Sequence, residues 1–238
     1  MEKSILIYIV TILITFSSLF SDSRWRYQAD GQFEQTKIEG ESVRKFTNNV
    51  FIYNDSISLF TDEAIQYLDK NELHLLGNTK MIRSEDTLIC KKMTYWMEND
   101  SINAQGNIKY IQKGRILKSS IINQWKSTGY RRSSFTAKGN VKIIENDRNV
   151  SAEVIKYNDI SQQMILEDSS SISDIKKSLS GQNMIIQYND SLLEKVTVQN
   201  NAFATNLTEA KIDTGGFYRK FTNEMNSSNM EANFKEGK

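Results

Sequence analysis

An all-β fold, built from about six repeats of about thirty residues, is what this sequence predicts, on three observations. Asn49, Asn78, Asn107 and Asn140 each open a similar segment, at spacings of 29, 29 and 33 residues, and the last three follow Gly77, Gly106 and Gly139. Apolar and polar residues alternate with a period of two around each Asn, the signature of a strand with one buried face. An aromatic residue stands 17 or 18 positions after each Asn: Tyr67, Tyr95, Trp125 and Tyr157. A unit that recurs at a fixed period buries its apolar face by stacking on its neighbours.

Composition sets the outer bounds. The chain has 238 residues, 39% of them apolar and 25% charged, which suits a folded domain rather than a disordered or multi-span chain. Thirty Lys and Arg stand against twenty-nine Asp and Glu, so no global basic field gathers nucleic acid, and none is expected as a partner. One cysteine and one histidine exclude a disulfide framework, a Cys/His zinc site and most histidine-based acid–base machinery; no metal and no cofactor is expected.

Residues 1–23 come first. Lys3, the apolar run from Ile5 to Phe20 and the small polar Ser21-Asp22-Ser23 read as a secretory signal peptide. The alternative is an uncleaved single-span anchor, although the run is shorter than the ~20 residues of a comfortable span. Either way the remainder crosses a membrane.

Residues 24–208 hold the repeats. One and three positions after each Asn come Val50 and Ile52, Thr79 and Met81, Ile108 and Tyr110, Val141 and Ile143. Five and three positions before come Leu73 and Leu75, Ile102 and Ala104, Phe135 and Ala137. All share one parity and are expected on one interior face. Lys80, Lys109, Lys142 and His74 fall on the opposite parity and are expected outside. The Gly before each Asn has the inward parity and is expected to mark a sharp bend in a strand of about eleven residues. Turns are expected at Asn54-Asp55, Asn158-Asp159 and Asn189-Asp190. A degenerate fifth copy is placed at Ser170-Ser171, with Asp174 at an inward position, and a sixth at Asn201. Stacked bent strands make a long sheet, creased along its middle, with an apolar trough on its concave side. An insertion falls around Ser127 to Arg132.

Residues 209–238 read as the start of a further, incomplete repeat. Asn229 to Phe234 repeats Asn183 to Tyr188, and the chain stops where the earlier copy begins its next strand. The expectation is a fragment of a longer protein or an open edge that docks another chain.

The serial order of Gly139-Asn140-Val141-Lys142-Ile143-Ile144, Val150-Ser151-Ala152-Glu153 and Tyr157, with an opening repeat from Arg44-Lys45-Phe46 through Thr61-Asp62-Glu63-Ala64 and Tyr67 to Gly77-Asn78, resembles the OstA-like domain of lipopolysaccharide-transport proteins. The resemblance covers about Arg24 to Thr208. It implies a V-shaped β-jelly roll in the periplasm that holds the acyl chains of lipopolysaccharide. It implies partners too: other jelly rolls of the transport bridge or a second copy, joined through edge strands, and the outer-membrane translocon. The trough-lining residues would be Val50, Ile52, Leu73, Leu75, Met81, Ile102, Ala104, Ile108, Tyr110, Phe135, Ala137, Val141 and Ile143. No catalytic residue is expected.

Other readings of the residues stay open. A structural or adhesive β-repeat protein would close the same interior with side chains. A carbohydrate-active enzyme would need two carboxylates facing across a cleft, whereas Glu85/Asp86, Asp62/Glu63 and Glu167/Asp168 are expected at turns or strand ends. Cys90 fits a small slot in a strand as a buried structural thiol. The basic groups Lys113, Arg115 and Lys118, and Arg131, Arg132, Lys138 and Lys142, are a solvated face or a rim that meets lipid phosphates at the trough's mouth.

Overall fold

The computed structural model describes residues 25–126, 133–189, 192–211 and 218–233. The leader, the insertion at Ser127 to Arg132 and the last residues from Phe234 lie outside the described residues. Fourteen strands form one antiparallel sheet, and the described residues include no helix. Two short strands come first, β1 (Arg26–Gln28) and β2 (Phe33–Ile38), and both pair with β3 (Glu41–Tyr53). A meander follows through β4 (Ile57–Tyr67), β5 (Glu72–Arg83), β6 (Asp86–Trp96), β7 (Ser101–Gln112) and β8 (Arg115–Lys126). It continues through β9 (Ser133–Glu145), β10 (Arg148–Asn158), β11 (Gln163–Ser173) and β12 (Lys177–Asn189). It ends with two long strands, β13 (Leu192–Lys211) and β14 (Tyr218–Asn233).

The crease has a local cause. Every odd-numbered strand from β3 to β13 places two residues opposite one on the meander strands beside it, a bulge that bends the strand. Those residues take left-handed backbone: Asn48 and Asn49, Gly106 and Asn107, Gly139 and Asn140, Asp168 and Ser169, Asn200 and Asn201, with φ between 48° and 83°, and Gly77 at 96°. Gly, Asn and Asp are the residues that visit this region at low cost, which explains the recurring dipeptide. The facing strand contributes one polar residue, whose side chain sits over the bulge. Asp62 accepts from the Asn78 backbone N–H and amide at 3.0 Å, and Glu153 accepts from the Asn140 N–H at 3.2 Å.

Two expectations need correction here. The glycines are not inward: Gly77 is exposed and Gly106 and Gly139 are half-buried at the crease, because the two residues of each bulge stand outside the ladder and the inward alternation resumes after them. The fifth bulge is Asp168-Ser169, two residues before Ser170-Ser171, so Ser170 is buried. Asp174 stands instead in the β11–β12 turn, where it accepts from the Lys176 and Lys177 N–H groups at 2.7 Å. The even strands do lose parity. On β4 the inward residues are Ile57, Leu59 and Thr61, then Ala64 and Gln66. That flip sorts the aromatics: Tyr95 and Tyr157, 17 residues after their Asn, are buried, whereas Tyr67 and Trp125, 18 after, lie outside.

Two apolar ranks run across the sheet, one on each side of the crease. The first follows the register Leu75, Met93, Ala104, Ile122, Ala137 and Ile155 over β5–β10. The second follows Met81, Leu88, Tyr110, Leu117, Ile143 and Val150 over the same strands. All twelve are buried and belong to one core. Between them the crease floor is lined by small residues: Thr61, Thr79, Cys90, Ser119, Ala152 and Ser170. Small side chains let the two halves approach, and Thr61 and Thr79 bond at 3.0 Å.

Candidate functional site

The concave interior is the candidate site, and it is built from both halves of every strand. All thirteen residues expected in the trough are buried there, and Lys80, Lys142 (exposed), Lys109 and His74 (half-buried) stand on the opposite face. A flat strand of eleven residues would hold its ends about 33 Å apart. Yet Arg83, at the β5 end of one lip, reaches Asp100, in the turn after β6 on the other lip. Its Nη1 donates to Oδ2 at 3.1 Å and its Nη2 to Oδ1. The sheet is therefore folded on its crease until the lips meet.

A polar cluster surrounds this clasp. Tyr95 donates to Asp100 at 2.8 Å; Tyr110 and Gln112 donate to Asp86 at 2.8 and 2.9 Å. Burial, reinforced by the adjacent carboxylates, pushes both phenols well above their ordinary range. Burial also raises the Asp86 carboxyl, against the opposing hydrogen bonds from Tyr110 and Gln112. Beside the clasp the amino-terminal strand seals the mouth. Tyr27 of β1 is registered with Ile52 but stacks on Phe46, beyond the crease, at 5.2 Å, and Trp25 packs edge-on against Tyr95 at 5.7 Å.

Among the described residues the far end is open. The second apolar rank continues from Val150 through Ile172, Leu179 and Ala204 to Met225. Val150 is buried, the next three are half-buried, and Met225 is 62% exposed. The first rank ends on half-buried Met230 of β14. Tyr188 is buried near this end, its hydroxyl has no hydrogen-bond partner among the described residues, and burial raises its pKa.

The remaining candidates resolve into structure. His74 lies outside, 3.2 Å from Glu72 and against the Tyr67 ring at 4.7 Å. Cys90 is buried in the crease floor, and burial pushes its thiol up to about 12. Asp62/Glu63 and Glu167/Asp168 are not at turns or strand ends: they stand mid-strand at the crease, where Asp62 and Asp168 serve the bulges. Asn54, Asn99 and Asn158 cap turns through their side-chain oxygens. Among the described residues no group of carboxylates, His and Cys could hold a metal ion. The basic rim is also redistributed. Arg115 is buried against Glu145 at 2.6 Å, whereas Lys118, Lys138 and Lys142 face outward on the convex side; Arg131 and Arg132 lie outside the described residues. Sequence reasoning missed Arg83 and Asp100. They are 17 residues apart, one at the end of β5 and the other in the turn between β6 and β7, and only the folding of the crease brings them together.

Residues 90–191 match the family described as LptA/(LptD N-terminal domain) LPS transport protein. No curated protein matches the chain. One matching solved structure is the crystal structure of LptH, the LptA-homologous periplasmic component of the lipopolysaccharide transport device of Pseudomonas aeruginosa. It shares 11% identity, spans 85% of this chain and 94% of that one, and superposes with a TM-score of 0.20.

Proposed function

Because the chain carries an OstA-like domain of the LptA/LptD amino-terminal family, matched at residues 90–191, we propose that it is a periplasmic, non-enzymatic carrier in lipopolysaccharide transport. It shelters acyl chains between the two apolar ranks. The observation that carries this reading is the graded exposure of the second rank, from buried Val150 to exposed Met225, which opens the interior at the β14 end. Each methylene taken from water there contributes about 0.8 kcal/mol. The thirteen trough residues named from the sequence would form the wall in contact with acyl chains.

The same end supplies a partner surface. β14 pairs with β13 on one side, and its other edge has no partner strand among the described residues. Such an edge adds a strand from a neighbouring jelly roll of the transport bridge, from the outer-membrane translocon or from a second copy. A photo-crosslinking residue at Ile108 or Val141 is expected to capture lipopolysaccharide in cells, and one at Lys109 or Lys142 is not. Equal capture on both faces, or none, returns the interior to the closed core of a structural β-repeat protein. A chain that sediments as a monomer at high concentration, alone and with such a partner, removes the edge-docking part.

A further inference from the structure

The convex face carries a second feature, separate from the interior. Lys80, Ile89, Lys109, Lys118 and Lys142 lie directly opposite one another on five consecutive strands, β5–β9. Strands are about 4.8 Å apart, so Lys109, Lys118 and Lys142 stack three like charges side by side, an arrangement that opposes folding. None of the three has a carboxylate within ion-pair distance among the described residues. The carboxylates that flank this row are engaged elsewhere: Asp62 on Asn78, Glu153 on Asn140, Glu145 on Arg115 and Asp86 on Tyr110.

One pleat nearer the lip, on the same face, runs an apolar row: Ile82, Ile111, Ile116 and Ile144, all half-buried, with Thr87 between the first two. The row continues through Ser58 to Tyr53 of β3, and Arg26 of β1 is registered with Tyr53, its guanidinium 5.7 Å from the ring centroid.

We propose that this face of β5–β9 lies on the surface of an anionic phospholipid bilayer, with the isoleucine row at the acyl boundary and the lysine row at the headgroup phosphates. Charge complementarity names the occupant, because unpaired lysines attract anions and lysine stems extend toward headgroups over an apolar row. The outward face of the other leg holds His74, Thr94, Asn103, Asn123 and Thr136 in one rank and Leu76, Lys92, Gln105, Ile121 and Lys138 in the next, so its two lysines are not registered on neighbouring strands.

The test uses the full chain with an environment-sensitive fluorophore on Ile111→Cys, and, as a control on the other leg, on Thr136→Cys. Native Cys90 is buried and does not compete for label. Vesicles of phosphatidylcholine mixed with phosphatidylglycerol are expected to shift the Ile111→Cys emission to the blue. Phosphatidylcholine alone is not, and the Thr136→Cys emission stays unchanged on both. Lys109→Gln, Lys118→Gln and Lys142→Gln together are expected to weaken the response on the order of a hundredfold, about fivefold for each charge. Equal shifts on both legs, equal shifts on neutral vesicles or a response that survives the triple substitution each overturn the proposal. So does a shift produced by soluble polyglutamate and not by vesicles, which would assign the face to an acidic protein.

Discussion

At the scale of single residues, the crease depends on backbone that few side chains tolerate. Gly139 has φ of 83°, and a Cβ there would meet the Ser120 Oγ at 2.6 Å and Cβ at 2.7 Å. Gly114 has the same φ with nothing within 4 Å. Gly139→Ala is therefore expected to cost about 2–3 kcal/mol and Gly114→Ala about 1 kcal/mol, since only the first adds a clash to the left-handed penalty. Ser120→Gly added to Gly139→Ala is expected to recover part of the loss in urea denaturation. If the two glycines respond equally, the close packing of Ser120 over the bulge is not what selects glycine. Buried acids give a second test. Cys90 is raised to about 12, and Tyr95, Tyr110 and Tyr188 are raised as well, all chiefly by burial. Each favours its neutral form in the folded chain, so the stability it lends is whole below the unfolded pKa and is lost as pH rises toward the folded one. Stability is expected to hold to about pH 8.5 and to fall steadily above it. Tyrosinate absorbance should show a late-ionising fraction that merges with the rest once the chain is unfolded. A flat stability profile through the alkaline range would contradict this.

At the scale of elements, each strand is two short strands joined at a bulge, and what holds its halves face to face is mostly apolar. The clasp between Arg83 and Asp100 adds a polar tie, with side chains only 12% and 20% exposed. Removing one partner strands the other in a partly dry mouth. Asp100→Ala is expected to cost about 2–4 kcal/mol, less than a fully buried pair would. Arg83→Leu with Asp100→Leu is expected to cost less than the sum of the single changes, because no charge is then left alone. Additive losses in urea would mean that the two side chains do not act as a pair. The bulges also show how repetition outlasts sequence drift. Asn183 and Asn229 sit on opposite sides of β13, each registered with Gln199. Asn183 accepts from the Asp168 N–H at 3.3 Å and Asn229 from the Asn200 N–H at 3.1 Å. No glycine stands in either bulge; Asp, Ser and Asn supply the left-handed turn instead.

For the molecule as a whole, the two ends differ. Trp25, Tyr27 and the clasp close the β1–β6 end, whereas β14 exposes Met225 and leaves Phe221 40% exposed. A stacked sheet gains stability from neighbours, so protection should follow position in the stack. Amide exchange is expected to be slowest in β5–β9, faster in β12 and β13, and fastest in β14. Uniform protection across the sheet, measured by mass spectrometry on peptic fragments, would show that the C-terminal strands are as firmly held as the centre. Addition of lipopolysaccharide is expected to slow exchange in β11–β14 most, because those strands carry the inward side chains still open to solvent.

Much of this was legible in the residues because strand pairing is a short-range matter of parity and turn chemistry. The period-two alternation named the buried face, and Val50, Leu73, Ile108 and Val141 are all inside. The recurring Asn marked the bends, since few residue types adopt left-handed backbone. What could not be read was the count of residues at each bend. On the even strands the single residue that faces each bulge flips the face of everything beyond it, which turns Trp125 outward; on the odd strands the bulge takes two residues, which leaves Gly77 exposed, and the fifth bulge falls two residues early, at Asp168-Ser169. Nor could pattern alone show that the two halves of a strand fold together. The sharpness of the fold depends on the small residues at its floor and on side chains from different repeats meeting across it. Arg83 and Asp100, the closed end and the open end are therefore products of the tertiary structure. The sequence alone determined which face is apolar; the folded crease decided which residues shut it.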